Sequence, residues 1–293
     1  MKDQFLQYLA HERHYSALTV LSYEQDLRAF EDFFTHIDSQ LSWETTDSNI
    51  IRAWMESMMD KGHKATSINR RLSAVRSFYR FALSRGMVER DPSHGIAGPK
   101  RSKPLPKFVR EQELNRLFDD VPWTDDFKDV RARTILLTLY STGIRLAELI
   151  GLEDGSVDVR GRQMKVTGKR NKQRIVPFGD ELAETLTHYL EIRGQQVPSR
   201  SAAFFTTKEG MPLTRWQVEY EVNKHLKRVS TQKHLTPHVL RHTFATSMVN
   251  HDAQIESVRR LLGHESMGTT EIYTHTTFEQ LKKVYNQAHP RAN

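Results

Sequence analysis

Hydrophobic residues in the first part of the chain recur every three to four positions, a spacing that places them on one face of a helix. This spacing predicts helices over 3–14, 19–36, 47–60 and 65–85. The second helix has Ser16 or Thr19 as its cap, and its apolar stripe consists of Tyr23, Leu27, Phe30 and Phe34. Because such stripes are stable only when they pack together, we expect a helical N-terminal domain with aromatic side chains in its core.

A spacing of two replaces the helical spacing between residues 157 and 178, which indicates β-strands. The turns fall at Gly161 and at 168–172, and the alternating apolar residues are Val157, Val159, Met164, Val166, Ile175 and Val176. They predict a small antiparallel sheet of about three strands. A short strand is predicted at 203–206, and helices are predicted near 110–118, 127–141, 179–193, 214–229, 237–248, 253–262 and 268–273.

The helical and mixed patterns are separated by a proline- and glycine-rich stretch downstream of Asp91. Proline interrupts a helix and removes a backbone donor, so this stretch is typical of a linker. The predicted organisation is an N-terminal helical domain over 1–96, a basic linker over 97–107 and an α+β C-terminal domain over 108–293. The expected fold class is mainly α with a small antiparallel β-sheet.

The composition excludes several classes of protein. With 38% hydrophobic and 27% charged residues and a mean hydropathy of -0.62, the chain is neither a bundle of membrane spans nor disordered. The longest apolar run, 134–140, is far shorter than the roughly 20 residues of a spanning helix. No signal peptide is visible and the chain has no cysteine, so we expect a cytoplasmic protein that uses no thiol chemistry and no membrane partner.

The formal net charge of +7 is unevenly distributed. Residues 1–60 hold four Lys and Arg against eleven Asp and Glu, residues 61–107 hold twelve against two, and residues 108–293 hold 27 against 23. A concentrated basic block is typical of proteins that bind nucleic acid. The arginines of the helix at 65–85 have no acidic residue at a spacing of four, which favours phosphate contact. The candidate DNA contacts are Lys64, Asn69, Arg70, Arg76, Arg80, Lys100, Arg101 and Lys103.

The segment from Thr236 to His242 could carry chemistry, because Thr236 and Pro237 begin a helix there. His238 and Arg241 then share one helix face. An imidazole beside a guanidinium suits an anion such as a phosphodiester. The alternative is a metal site formed by His234, His238 and His242. The neighbouring guanidinium, the proline after His234 and the lack of a carboxylate disfavour the metal site.

Two further segments contain candidate residues, and each is weak evidence alone. In STGIRLAELIGL, Arg145 follows a glycine turn and Glu148 lies one helical turn later, a spacing that also suits a simple intrahelical ion pair. In LLGH, His264 follows a helix that ends at a glycine, and Tyr273 comes nine residues later within IYTH.

Together these segments resemble the tyrosine recombinase family, also called the phage integrase family, in their order, spacing and flanking residues. The resemblance covers nearly the whole chain, because the N-terminal helices are similar to the SAM-like core-binding domain of that family. It implies a supporting acidic role for Glu148 and no metal or other cofactor. It implies this catalytic set: Arg145, Lys169 with Lys172 as the alternative, His238, Arg241, His264 and the nucleophile Tyr273.

The resemblance implies cleavage and rejoining of double-stranded DNA through a 3'-phosphotyrosyl intermediate and a Holliday junction. Four protomers would assemble on two DNA sites, either as a homo-tetramer or as a hetero-tetramer with a related recombinase. The amphipathic tail with Phe278, Leu281 and Val284 would dock on a neighbouring protomer or pack on its own domain. Resolution of chromosome dimers and integration of a mobile element are both compatible with the sequence.

Three other functions are compatible with parts of this pattern. A type IB topoisomerase uses similar residues but reseals the same strand, and it is the nearest alternative. A DNA-binding protein without catalysis would account for the basic block but not for the set of His238, Arg241, His264 and Tyr273. A metal-dependent hydrolase would lose its activity in a chelator.

Overall fold

The structure, a computed structural model, describes residues 1–100, 108–168, 171–263 and 275–292, with only the backbone described at 275–277. The candidate residues Arg101, Lys103, Lys169, His264 and Tyr273 lie outside the described residues. The chain divides into two compact units, Met1–Leu105 and Pro106–Asn293. The division falls inside the stretch 97–107, and each unit has its own hydrophobic core.

The N-terminal unit is a bundle of helices, as the hydrophobic spacing predicts. Its helices are α1 (Lys2–Gln7), continued by a π-helical turn (Tyr8–Glu12), then α2 (Ala17–Ile37), α3 (Ser48–Asp60) and α4 (Ala65–Ser84). Ser16 caps α2, because its side chain accepts a hydrogen bond from the Thr19 N–H. Leu27, Phe30 and Phe34 are buried in the core together with aromatic residues of the later helices.

The second unit contains the remaining helices of the described chain. They are α5 (Glu111–Asn115), α6 (Phe127–Thr142), α7 (Leu146–Ile150), α8 (Asp180–Gln196), α9 (Arg215–Leu226), α10 (Pro237–Asn250), α11 (Ile255–Leu262) and α12 (His275–Ala288). Helix α6 is buried along almost its whole length, so it forms the centre of this unit. Among the described residues, no helix is both long and apolar enough to cross a membrane.

A three-stranded antiparallel sheet lies in the second unit, in the order β1 (Val157–Asp158), β2 (Gln163–Thr167) and β3 (Gln173–Pro177). Met164 lies opposite Val176 and Val166 opposite Arg174, and these four side chains form the buried face. The fold class predicted from the sequence is therefore confirmed. The predicted strand at 203–206 is wrong, because these residues form only isolated bridges from Ala203 to Glu153 and from Thr206 to Pro212.

The C-terminal helix α12 packs on its own unit in the single chain. Leu281, Tyr285 and Ala288 lie in one buried cluster with Phe244 of α10 and Leu261 of α11. The chain end is also bound, because the carbonyl of Ala292 accepts the Asp180 N–H at 3.1 Å. Docking of this tail on a neighbouring protomer stays a prediction. The predicted helix near 268–273 lies outside the described residues.

Candidate active site

Arg145 follows a tight turn that only glycine can form. Helix α6 ends at Gly143, which has a φ of 60° in the left-handed region. A Cβ at this position would lie 2.5 Å from a ring carbon of Phe244 and 2.9 Å from Leu262. Both the backbone conformation and the available space therefore require glycine at this position. The turn directs the chain from α6 into α7. Arg145 stands at the start of α7, with 38% of its side chain exposed.

Glu148 is buried between two arginines. Its Oε1 accepts hydrogen bonds from Arg145 Nη1 at 2.8 Å and Arg174 Nη1 at 2.7 Å. Its Oε2 accepts from the Arg145 backbone N–H at 2.7 Å and Arg174 Nη2 at 3.0 Å. Burial alone would raise the pKa of Glu148, but the hydrogen bonds from Arg174 and Arg145 outweigh it and hold the pKa below its usual value. Glu148 is therefore a carboxylate at neutral pH.

Arg174 is the residue of this cluster that sequence reasoning missed. The sequence predicts the intrahelical pair of Arg145 and Glu148, but not its second arginine. The signal is present in the strand pattern, because Arg174 stands two positions before the buried Val176 and therefore on the inward face of β3. An arginine at an inward position needs a buried acceptor, and Glu148 is that acceptor.

Arg241 is buried on α10 and is held by backbone carbonyls. Its Nη1 donates to the carbonyl of Gly143 at 2.6 Å, and its Nη2 donates to the carbonyl of Leu262 at 2.7 Å. Burial, followed by the charge of Arg145, lowers the pKa of Arg241 to about 10. The guanidinium is still protonated at neutral pH. No carboxylate touches it among the described residues, so its charge is available to an anion.

His238 lies one helical turn before Arg241 and is exposed. Partial burial, and then the charges of His242, Arg241 and Arg145, lower its pKa below the usual value for histidine. The imidazole is therefore neutral at pH 7 and can accept a proton. Its ring faces that of His242 in an edge-on contact with centroids 4.9 Å apart.

The C-terminal end of α11 brings the three arginines together. The carbonyl of Leu261 accepts from Arg174 Nε at 3.0 Å, that of Leu262 from Arg241, and that of Gly263 from Arg145 Nη2 at 3.4 Å. Three successive carbonyls thus bind three different guanidinium groups. This matches the negative end of a helix dipole, where cations are stabilised.

Gly263 closes this end of the helix with a φ of 64°. A Cβ here would lie 3.0 Å from Arg174 Nε, so glycine also leaves room for the arginine. His264 is the next residue in the sequence. The structure thus brings together Arg145, Glu148, His238 and Arg241, whereas Lys169, His264 and Tyr273 lie outside the described residues.

The described part of the chain gives no support to the alternative of a metal site at His234, His238 and His242. Among the described residues, no group of three or more His, Asp or Glu side chains is arranged to hold a metal ion. The cations around His238 would oppose a further positive ion there.

Several residues of α4 that are predicted to contact DNA form hydrogen bonds within the protein. Arg70 pairs with the buried Asp26 and donates to Ser22 Oγ at 2.9 Å. Arg76 donates to the carbonyl of Ile96, and Asn69 donates to the carbonyl of Pro99 at 2.9 Å. The lack of an acidic residue one helical turn away does not leave Arg70 and Arg76 unpaired, because their partners are distant in sequence. Lys64, Arg80 and Lys100 are exposed.

A basic surface in the second unit is hidden when charge is counted over the whole domain. Residues 222–251 contain no Asp or Glu. Within this range the end of α9 and the loop before α10 carry exposed cations, namely Lys224, Lys227, Arg228 and Lys233. These cations precede His238 and Arg241 in the sequence. A charge count over a window of about thirty residues would have found it.

Similarity to known families and relatives shows that the chain is a DNA strand-cleaving and rejoining enzyme of the tyrosine recombinase class. The model of the phage integrase family matches residues 107–280, and that of the phage integrase N-terminal SAM-like domain matches residues 3–86. The chain belongs to the phage integrase family.

One curated relative is the tyrosine recombinase XerC of Chlorobaculum tepidum, which is 37% identical over 315 residues and covers 99% of this chain and 94% of its own. Among solved structures, the fold matches the XerH recombinase bound to its palindromic difH substrate with a TM-score of 0.73, at 20% identity over 98% of this chain and 84% of that chain. A lambda integrase tetramer bound to a Holliday junction matches with a TM-score of 0.68, at 18% identity over 94% of this chain and 78% of that chain.

Proposed function

We propose that this enzyme is a site-specific recombinase that cuts double-stranded DNA by attack of Tyr273 and holds the strand as a 3'-phosphotyrosyl ester. The observation that carries the proposal is the convergence of Arg145 and Arg241 on the carbonyl end of α11, with the neutral His238 beside them. Two guanidiniums at one point suit the non-bridging oxygens of a phosphodiester. Attack adds negative charge to those oxygens, so donors held in place lower the barrier.

The roles of His238 and Lys169 follow from the proton transfers that the reaction needs. A tyrosine hydroxyl ionises near pH 10 in water, so it needs a base when it attacks. His238 supplies that base because its pKa is lowered and it is neutral at pH 7. The leaving 5' oxygen needs a proton, which we assign to Lys169, while His264 donates to a phosphoryl oxygen. The ester keeps the energy of the broken bond, so a 5' hydroxyl of another strand can reseal it.

The proposed reaction uses side chains alone and takes place in the cytoplasm on a DNA site bound by several protomers. We propose a tetramer, homomeric or formed with a related recombinase, because the fold matches an integrase seen as a tetramer on a Holliday junction. The XerC relative favours an Xer-type role in chromosome dimer resolution over mobile-element integration. The basic surface of Lys224, Lys227, Arg228 and Lys233 would contact the DNA backbone beside the cleaved phosphate.

Covalent trapping on nicked DNA tests the proposal. A library of nicked duplexes is incubated with the enzyme in EDTA, and the DNA attached to protein is sequenced. We expect the wild-type enzyme to form an adduct at one sequence, and Tyr273→Phe to bind that DNA within about twofold of wild type without forming the adduct.

The matched control is Tyr220→Phe, because Tyr220 is exposed and stacks on Trp216 with centroids 5.4 Å apart. This variant should form the adduct at the wild-type rate. An adduct in Tyr273→Phe would assign the nucleophile to another residue. Relaxation of supercoils without recombinant products would indicate a topoisomerase instead.

A further inference from the structure

We propose that Arg174 is a positioning residue of the catalytic centre, which holds Glu148, and through it Arg145, against the carbonyl end of α11. This inference rests on the function proposed above and extends it to a residue outside the catalytic motifs. Only 7% of the Arg174 side chain is exposed, so it acts through other residues and does not reach the DNA.

The three bonds of Arg174 join two parts of the site. Its two Nη atoms bind the two oxygens of Glu148, and its Nε binds the carbonyl of Leu261. A planar guanidinium has donors on two edges, so one edge can bind the carboxylate and the other the helix end. Lysine donates from a single nitrogen and cannot reproduce this two-edged geometry. Arg174 therefore sets the distance between Glu148 and α11.

The bridge matters for Arg145 because Arg145 and Arg174 bind the same carboxylate, that of Glu148. Glu148 accepts four hydrogen bonds, two from Arg145 and two from Arg174. Without Arg174, each carboxylate oxygen has one donor fewer and the carboxylate is free to rotate. The guanidinium of Arg145 then pairs with a carboxylate that is held less firmly, and its other contact is the 3.4 Å one with the carbonyl of Gly263.

The position of Arg174 in β3 extends this effect to the β2–β3 turn. Arg174 is the second residue of the strand that follows residues 168–172, and its inward side chain makes β3 part of the site. A Cβ at Gly168 would lie 3.3 Å from Glu148 Oε1, so the chain passes close to this carboxylate where β2 ends. Glu148 thus binds residues of α7 and β3 and lies near the end of β2.

Arg174→Met tests the role because it keeps much of the apolar length and removes the donors. We expect single-turnover cleavage of the trapped DNA site to slow by about 100-fold, the typical cost of a misplaced catalytic group. DNA affinity should change less than threefold. Arg174→Lys should recover little of the rate, because a single nitrogen cannot reproduce the two-edged contacts with Glu148 and Leu261.

The pH profile separates positioning from mere stability. In Arg174→Met, Glu148 stays buried but has only Arg145 as its donor, with Arg241 as the next nearest charge, so its pKa rises. Protonation of Glu148 should add a new acid limb to the pH profile of the cleavage rate. This limb should be absent in Arg174→Met/Glu148→Gln. A second readout is the guanidinium NMR signal of Arg145, which should be sharp in the wild type and broadened in Arg174→Met.

The matched control is Arg131→Met. Arg131 is another buried arginine of the same unit, which pairs with Glu221 and donates to the carbonyl of Thr206. It should lower thermal stability without a new acid limb and without broadening the Arg145 signal. If Arg174→Met behaves like Arg131→Met, or cleaves like the wild type, the positioning role is wrong. If wild-type enzyme forms no adduct, the proposed function fails, and the Arg145 signal alone decides the positioning role.

Discussion

Two arginines, one from each unit, are held in different ways. In the second unit, Arg241 is oriented entirely by carbonyls, those of Gly143 and Leu262. In the N-terminal unit, Arg70 is oriented by the carboxylate of Asp26. A carbonyl orients a guanidinium and leaves its full charge in place, whereas a carboxylate orients it and cancels the charge. The two arrangements therefore prepare arginines for different purposes.

The charge balance shows the consequence. Around the end of α11 there are three arginines and one carboxylate, that of Glu148, which binds Arg145 and Arg174, so the described cluster keeps an excess of positive charge. Burial in low dielectric strengthens that charge towards a phosphate. On α4, half of the Arg70 side chain is exposed and its charge is balanced by Asp26. The first cluster suits transition-state stabilisation, and the second suits support of the fold with weaker attraction of DNA.

Substitution of Arg241 has the largest expected effect. It tests whether an arginine that is oriented by carbonyls stabilises the transition state. Arg241→Met removes a fully charged guanidinium from the proposed phosphate site, and we expect cleavage to slow by about 1,000-fold or more. The measurement is the single-turnover rate of adduct formation at saturating DNA.

Arg193→Met is the matched control for Arg241, because Arg193 also donates to two carbonyls, those of Ala203 and Phe204. It lies against Asp154, away from the proposed catalytic residues. Its removal should lower the midpoint of thermal unfolding and leave the adduct rate nearly unchanged. An Arg241→Met enzyme that cleaves at the wild-type rate would remove the distinction between the two kinds of arginine.

The sequence was sufficient for the features that depend on local spacing. The helical stripes and the alternating strands predicted the two-part mainly α fold, and the one-turn spacing of Arg145 and Glu148 predicted their close pair. Helix α10 begins at Pro237 as expected, although the side chain of Thr236 makes no capping bond. These features succeed because neighbouring residues determine them.

The missed contacts depend on tertiary packing. Arg174 meets Glu148 from 26 positions away, and Arg70 meets Asp26 from 44 positions away. A search for partners one helical turn apart cannot find either pair. The rule that an inward-facing arginine needs a buried acid would have pointed to Arg174, whereas α4 offered no such signal because Arg70 is exposed.

A smaller effect concerns the pH dependence of cleavage that follows from the lowered pKa of His238, whose causes are partial burial and then the charges of His242, Arg241 and Arg145. The pKa of His238 lies below its usual value of about 6.5, so the acid limb of cleavage should lie below that pH, because the imidazole acts as a base only when deprotonated. His242→Gln removes one of the causes of the lowered pKa and should move the limb towards higher pH, so that cleavage near pH 6 becomes slower than in the wild type.

His234→Gln is the control for this measurement, because His234 is an exposed residue on the loop before α10 and is absent from the causes of the lowered pKa. Its profile should coincide with that of the wild type. A wild-type acid limb above pH 6.5 would contradict the role of His238 as the base.

The smallest effect tests the α4 half of the contrast through the salt dependence of DNA binding. Removal of one phosphate-binding cation should reduce the log-log slope by about 0.9. Arg80 is exposed and Arg76 is bound to the carbonyl of Ile96, so Arg80→Gln should flatten the slope by about that amount while Arg76→Gln leaves it unchanged and lowers thermal stability. Arg70→Gln should give a smaller change in the slope, because the charge of Arg70 is partly balanced by its ion pair with Asp26. Equal slopes for Arg80→Gln and Arg76→Gln would show that internal hydrogen bonding does not decide which arginines of α4 bind DNA.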